Sequence, residues 1–179
     1  MSEKERIIER LRATGDDAVR RLRALPEASF SAGRYESGWN AKQILAHIAS
    51  IEWTYARLVG LAQQSTADAP TATEASGASR EQPAAVPQGP PRGGMDDYNA
   101  RQVEKRASVG IDELIDEFAA NRARTIAAVT EADDRLFTSP IRSAGGITGT
   151  LAQVLDAIAI DHVMSHVGDI TGEPWTGRS

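Results

Sequence analysis

The chain has 179 residues, a net charge of −5 and no cysteine. That length supports one full hydrophobic core, while the acidic balance argues against a nucleic-acid surface, which needs a basic patch. Without cysteine there is no disulfide framework, no thiolate metal site and no cysteine nucleophile. No apolar run approaches membrane-spanning length, and the charged, amphipathic start MSEKERIIERL does not read as a secretory signal. The expectation is a single cytoplasmic domain over residues 1–179, with a small-molecule substrate and neither nucleic acid nor membrane as partner.

Ser2 with Glu5 forms a capping box ahead of Ile7, Leu11, Ala18, Leu22 and Leu25 at helical spacing. Pro26 closes this first helix, and Gly15 within it costs roughly 1 kcal/mol against alanine. Residues 26–38 read as a loop, with Tyr35 and Trp39 as packing groups. Asn40 with Gln43 forms a second capping box. Behind it Ile44, His47, Ile51, Tyr55, Leu58 and Ala62 follow steps of three and four, so His47 is expected on the buried stripe. Taken alone, such a histidine reads as a core residue bonded to a neighbour. Glu52 falls roughly 140° around the helix from His47, at the edge of that stripe.

Residues 65–96 change character. Five of the eight prolines fall there, and Val86 and Met95 are its large aliphatic residues. This composition predicts a crossover linker rather than a helix. Neither flank has enough apolar surface for a core of its own, so the linker carries the chain a long way instead of separating two domains. Asp96 or Asp97 can cap the next helix, which holds Tyr98, Asn99 and Val103. The step Ser108-Val109-Gly110 interrupts it, and Ile111, Leu114, Phe118, Thr125 and Val129 resume the pattern, with Asn121 and Arg122 on or beside the inward face. These two either tie the bundle together by hydrogen bonds or line a pocket. Residues 131–149 read as a loop with no strand signal.

Thr150 with Gln153 forms a third capping box. Leu151, Leu155, Ile158, His162 and His166 continue one stripe, and Gly172 and Pro174 end the helix. His162 and His166 stand four apart, one turn above each other on one face. Two imidazoles so placed can grip one ion, and bare imidazoles on an apolar stripe are unfavourable without partners. The remaining histidine is His47. It lies about 10 Å up its helix, and the other two lie roughly 18 to 24 Å up theirs. Those depths coincide only if the two helices run antiparallel. An up-down-down-up four-helix bundle makes them so, and its long connection between helices 2 and 3 is one that residues 65–96 can span at about 3.3 Å per residue. The expected metal ligands are therefore His47, His162 and His166.

The segment Trp39-Asn40-Ala41-Lys42-Gln43-Ile44-Leu45-Ala46-His47-Ile48-Ala49 resembles the Trp-Ser-x-x-x-hydrophobic-x-x-His-Leu motif of the DinB-like superfamily, which also contains mycothiol-dependent maleylpyruvate isomerase and bacillithiol-transferase-like proteins. Asp161-His162-Val163-Met164-Ser165-His166 resembles the family's second histidine segment, and Asn99 resembles a polar position before the third helix. The resemblance implies an up-down-down-up bundle, often a homodimer, with a divalent ion on a histidine triad. A histidine, His162, stands where the isomerase subgroup carries a glutamate.

Three neutral imidazoles with an open position suit Zn²⁺, Ni²⁺ or a neighbouring ion, and ligand type does not choose among them. Such a site can lower the pKa of a bound water towards about 7 and hydrolyse a substrate, or bind a low-molecular-weight thiol as thiolate for attack on an electrophile. The resemblance favours the second, a thiol S-transferase of detoxification or stress response, with Asn99 or Arg122 orienting substrate and Glu52 or Asp169 as candidate bases. A non-enzymatic metal-binding interaction module and a plain helical scaffold with buried histidines and no ion are the other classes that the sequence leaves open.

Overall fold

The computed structural model describes residues 1–33, 35, 38–67 and 94–177. Most of the expected 65–96 linker, residues 68–93, lies outside the described residues. Among the described residues the fold is all-helical apart from one short hairpin.

All three capping boxes form. The Ser2 hydroxyl accepts from the Glu5 N–H at the start of α1 (Glu3–Arg23), and the Glu5 carboxylate accepts from the Ser2 N–H at 2.7 Å. Asn40 and Gln43 exchange the same pair of bonds, each 2.9 Å, ahead of α2 (Ala41–Ala67). The short α3 (Gly94–Glu104) starts before Asp96 and Asp97, so these acids sit in its first turn rather than capping it. There they complement the helix dipole. After the expected break, Gly110 heads α4 (Ile111–Glu131), its N–H bonded to the Glu113 carboxylate.

The last helix comes in three contiguous pieces. Thr150 and Gln153 cap α5 (Leu151–Leu155), a π-helical turn covers Asp156–Asp161, and α6 (His162–Thr171) follows. Gly172, with φ +73°, closes it through a bond from its N–H to the Gly168 carbonyl. A side chain is strained in that left-handed conformation, which is why glycine serves there.

Two spans expected as loops carry more structure. The 3₁₀ turns Glu27–Ser31 and Asp134–Thr138 bury Phe30, Leu136 and Phe137. β1 (Pro140–Arg142) pairs antiparallel with β2 (Thr148–Thr150). Strands of three residues are too short to display a period, so alternation could not reveal them.

Contacts between helices advance in register. Asn121 Nδ2 donates to the Ala49 carbonyl and Thr125 Oγ1 to the Glu52 carbonyl, both at 3.2 Å, so α2 and α4 run side by side in the same direction. On α1, Arg23 meets Asp116 while Lys4 donates to the Ala132 carbonyl, the signature of an antiparallel pair with α4. Arg6 pairs with Asp156 and Arg21 donates to Thr171, which aligns α1 with the last helix. Tyr55 of α2 donates to the Ile158 carbonyl and Tyr35, ahead of α2, to the Asp169 carbonyl. These last two contacts set α2 against the last helix head to tail. Between the helices lie fully buried Leu11, Leu22, Ile44, Ile48, Leu114 and Phe118. Each such side chain contributes about 1.5–3 kcal/mol of burial.

One polar pair sits inside this core. Glu52 is fully buried, not at the edge of a stripe, because α2 is packed by α4 on one side and by the last helix on another. Its Oε1 lies 3.0 Å from Arg122 Nε, and the Arg122 guanidinium stands 5.3 Å from the centre of the Phe118 ring. Gly15 makes room for this arginine: a Cβ there would come within 3.0 Å of Arg122 Cγ. Burial raises the Glu52 pKa to about 7, with Arg122 and Thr125 pulling the other way.

Arg122→Met should leave Glu52 buried without its counter-charge and cost about 3–5 kcal/mol in urea unfolding at pH 8. The cost should shrink at pH 5.5, where the stranded carboxyl is protonated in the folded state. Glu52→Leu combined with Arg122→Met should recover most of the loss. Equal costs at both pH values would show that the pair does not carry buried charge.

Candidate metal centre

The head-to-tail packing of α2 on the last helix brings all three histidines to one place. One nitrogen from each of His47, His162 and His166 lies within 4.8 Å of the others. The ring centres are 5.8 Å apart for His47 and His162, 5.3 Å for His47 and His166, and 4.6 Å for His162 and His166. Nε2 of His166 is 3.1 Å from Nε2 of His162. Ligands held tetrahedrally at about 2.1 Å from a zinc ion stand roughly 3.4 Å apart, so the spacing fits a shared ion.

His47 is the buried corner of this triangle, and its Nδ1 has no hydrogen-bond partner. An ordinary core histidine is satisfied by a neighbour; this one lacks that partner and faces two other imidazoles. Burial pushes its pKa down to about 3, with His166 and then His162 adding to the effect. The His162 pKa is lowered too, by burial first and by His166 second, with a hydrogen bond to the Ile158 backbone opposing. His162 keeps an exposed edge. Both rings therefore carry free lone pairs at neutral pH. The triad is closed by His47 on the protein side and open to solvent along His162 and His166.

Neighbouring groups hold these rings. Asp169 Oδ2 lies 3.2 Å from Nδ1 of His166. An ionised carboxylate only accepts, so it keeps the proton on Nδ1 and leaves Nε2 as the lone-pair nitrogen. Asp169, a candidate base in the sequence, is thereby engaged in orienting His166. Trp39, expected as a packing group, has its ring centre 5.3 Å from that of His47 and forms a wall of the site. It also lines a cavity of about 360 Å³ between α2 and α3, with Asn40, Gln43, Ala46 and Val103 among the other walls.

Of the two pocket candidates, Arg122 is committed to the core rather than to the triad. Among the described contacts, Arg122 meets Glu52, Phe118 and the space over Gly15 rather than a histidine. Asn121 ties α4 to α2 through the Ala49 carbonyl, the tethering role that the sequence also allowed. Asn99 is half-buried on α3, and its Oδ1 is enclosed without a hydrogen-bond partner. Sequence reasoning missed the wall formed by Trp39, although its position eight residues before His47 puts the two within reach at the head of one helix. It also missed the π turn, for which the sequence carries no periodic signal.

The structure thus defines a helical protein whose histidines could hold one divalent ion. The chain belongs to the DinB superfamily, whose profile matches residues 4–170. Its fold is similar to that of mycothiol-dependent maleylpyruvate isomerase, with a TM-score of 0.66 and 18% identity over 93% of this chain and 60% of that one. A mutant form of that isomerase matches with the same TM-score and coverage at 17% identity. The chain therefore spans 60% of the length of the solved structures it resembles. No curated protein matches it significantly. Among the described residues, no helix is long and apolar enough to cross a membrane.

The low pKa of His47 has a thermodynamic consequence for the metal-free protein. Its folded value near 3 lies below the unfolded value of 6.5, so the unfolded chain binds the extra proton first. Stability should be full above pH 6.5 and decline as pH falls from there towards 3. His47→Leu should flatten this decline, as read by urea unfolding at a series of pH values with a chelator present. An unaltered pH profile would mean that His47 is not held neutral in the fold.

Proposed function

We propose that this protein is a divalent-metal-dependent enzyme of S-transferase type, in which a low-molecular-weight thiol attacks a small electrophilic substrate, in detoxification or stress response. The observation that carries this reading is the triad, with its buried, unpartnered His47 nitrogen on one side and its open edge on the other. His47, His162 and His166 would be the ligands, and three imidazoles suit Zn²⁺ or Ni²⁺. When bound, the ion would supply a Lewis acid that keeps a thiol sulfur in its thiolate form at neutral pH.

The chain's own residues do the rest. His47 anchors the centre from inside the bundle. Asp169 orients His166. Trp39 separates the triad from the cavity on the α2–α3 side, which has room for the apolar part of a substrate. Asn99, with an enclosed oxygen free to accept, is the candidate for receiving a substrate donor. The family and the names of the similar structures support thiol chemistry in particular. The registers of the four long helices support an up-down-down-up bundle in one domain over 1–179, with 65–96 as its crossover. A cytoplasmic homodimer is proposed on the family resemblance.

Untagged protein purified without chelators should carry about one equivalent of metal per chain by mass spectrometry. His47→Ala and His162→Ala should each abolish it. In assays of thiol consumption against a panel of electrophiles, His162→Ala should lose at least about 100-fold in rate, since an ion's contribution to a transition state is several kcal/mol. Retained turnover without the ion would sink the metal-dependent scheme. Turnover with water alone, at equal rate without thiol, would replace transfer by hydrolysis.

A further inference from the structure

Asp169 holds the His166 ring, and its own footing is the last turn of α6. The Asp169 side chain is 43% exposed, so burial does not fix it against His166. Carbonyls in the last turn of a helix have no partner within it. That of Gly168 accepts from the Gly172 N–H. That of Asp169 accepts from the Tyr35 hydroxyl at 2.6 Å. Tyr35 is in turn tied to the head of α2. Its N–H donates to the Trp39 carbonyl at 3.1 Å, and its carbonyl accepts from the Gly38 N–H at 2.7 Å. The Trp39 ring centre stands 5.3 Å from that of His47. Gly33 leaves room for the phenol ring, since a Cβ there would come within 3.1 Å of it.

We propose that Tyr35 is a positioning residue of the metal centre: it pins Asp169, and Asp169 holds the His166 ring with Nε2 turned towards His162. This rests on the reading of the triad as a metal centre. His47 and His166 belong to different helices, so their spacing depends on how α2 and α6 are aligned. The Tyr35 bond meets α6 three residues past His166, about one turn beyond it. Its other side is anchored through Trp39, which faces His47. The bond therefore joins the two ligand-bearing helices next to the site. Arg21 of α1 also holds this turn, through Thr171 and the Glu173 carbonyl, but it fixes α6 against a helix that carries no histidine. The partner of a ligating histidine sets its orientation and tautomer, and here that partner, Asp169, has a partner of its own. Burial, and then the charge on Asp169, raise the Tyr35 pKa above its ordinary value, so the hydroxyl remains a donor at neutral pH. Among the described contacts Tyr35 meets none of the three histidines and acts through Asp169.

The test is a double-mutant cycle on zinc affinity, measured by competition with a chromophoric chelator. Asp169→Ala should weaken binding about tenfold, and Tyr35→Phe several-fold. In the Asp169→Ala background Tyr35→Phe should make no further difference, because residues that act through one another are not additive. Val59→Ala, at a fully buried position roughly 18 Å beyond His47 along α2, should lower the unfolding temperature and leave zinc affinity unchanged. Equal affinity in folded Tyr35→Phe and parent protein would overturn the positioning role while leaving the centre intact. A Tyr35→Phe loss of the same size in both backgrounds, or a matching loss in Val59→Ala, would overturn it as well. A parent protein that takes up no zinc would overturn the centre and this inference with it. Zinc-loaded protein with labelled histidine gives a second readout. The Nδ1 proton of His166 should exchange with solvent faster in Tyr35→Phe than in the parent, and an unchanged rate would also overturn the proposal.

Discussion

A buried imidazole whose nitrogen has no partner is unfavourable unless something takes its lone pair or its proton. His47 is in that position, on the inner face of α2 with Nδ1 unbonded. The arrangement around it sets two further imidazoles beside the ring. The last helix lies head to tail on α2, so that His162 and His166 arrive at the depth of His47 rather than at the far end of the bundle. Antiparallel packing of these two helices is thus what turns three scattered histidines into one cluster. It also leaves one edge of the cluster in solvent, where a ligand can approach.

A second buried polar unit shapes the same helix from its other side. Glu52 and Arg122 face each other within the core, and α1 gives way to the arginine with a glycine at position 15. A glycine that weakens an isolated helix here leaves room for a neighbour's side chain. Such a pair adds little stability beyond well-packed apolar groups, and it spans the contact between α2 and α4. The register of these two helices, with Asn121 on Ala49 and Thr125 on Glu52, holds α2 so that His47 faces the last helix.

Much of this was legible in the residues. The three capping boxes mark helix starts through side-chain chemistry confined to four consecutive residues, and all three form as written. The apolar stripe placed His47 inward, and the spacing of His162 and His166 placed them together. Other features lay beyond reach. The short hairpin has too few residues to show a period. Glu52 was assigned to an edge because a single stripe describes a helix packed on one side, and α2 is packed on two. The π turn leaves the hydrophobic pattern looking continuous, because inserting one residue into a turn shifts hydrogen bonds more than it shifts burial.

By itself the sequence determined where three of the helices start, the inward placement of His47 and the placement of His162 and His166 on one face. These depend on interactions within a few residues, and such interactions are the same wherever the helix ends up. The tertiary structure alone decided that Trp39 walls the site, that Asp169 orients His166 and that Arg122 is committed to Glu52 rather than to the histidines. It also decided that Tyr55 reaches the Ile158 carbonyl in the π turn. These depend on contacts between residues distant in the chain, whose geometry is fixed only when the helices pack.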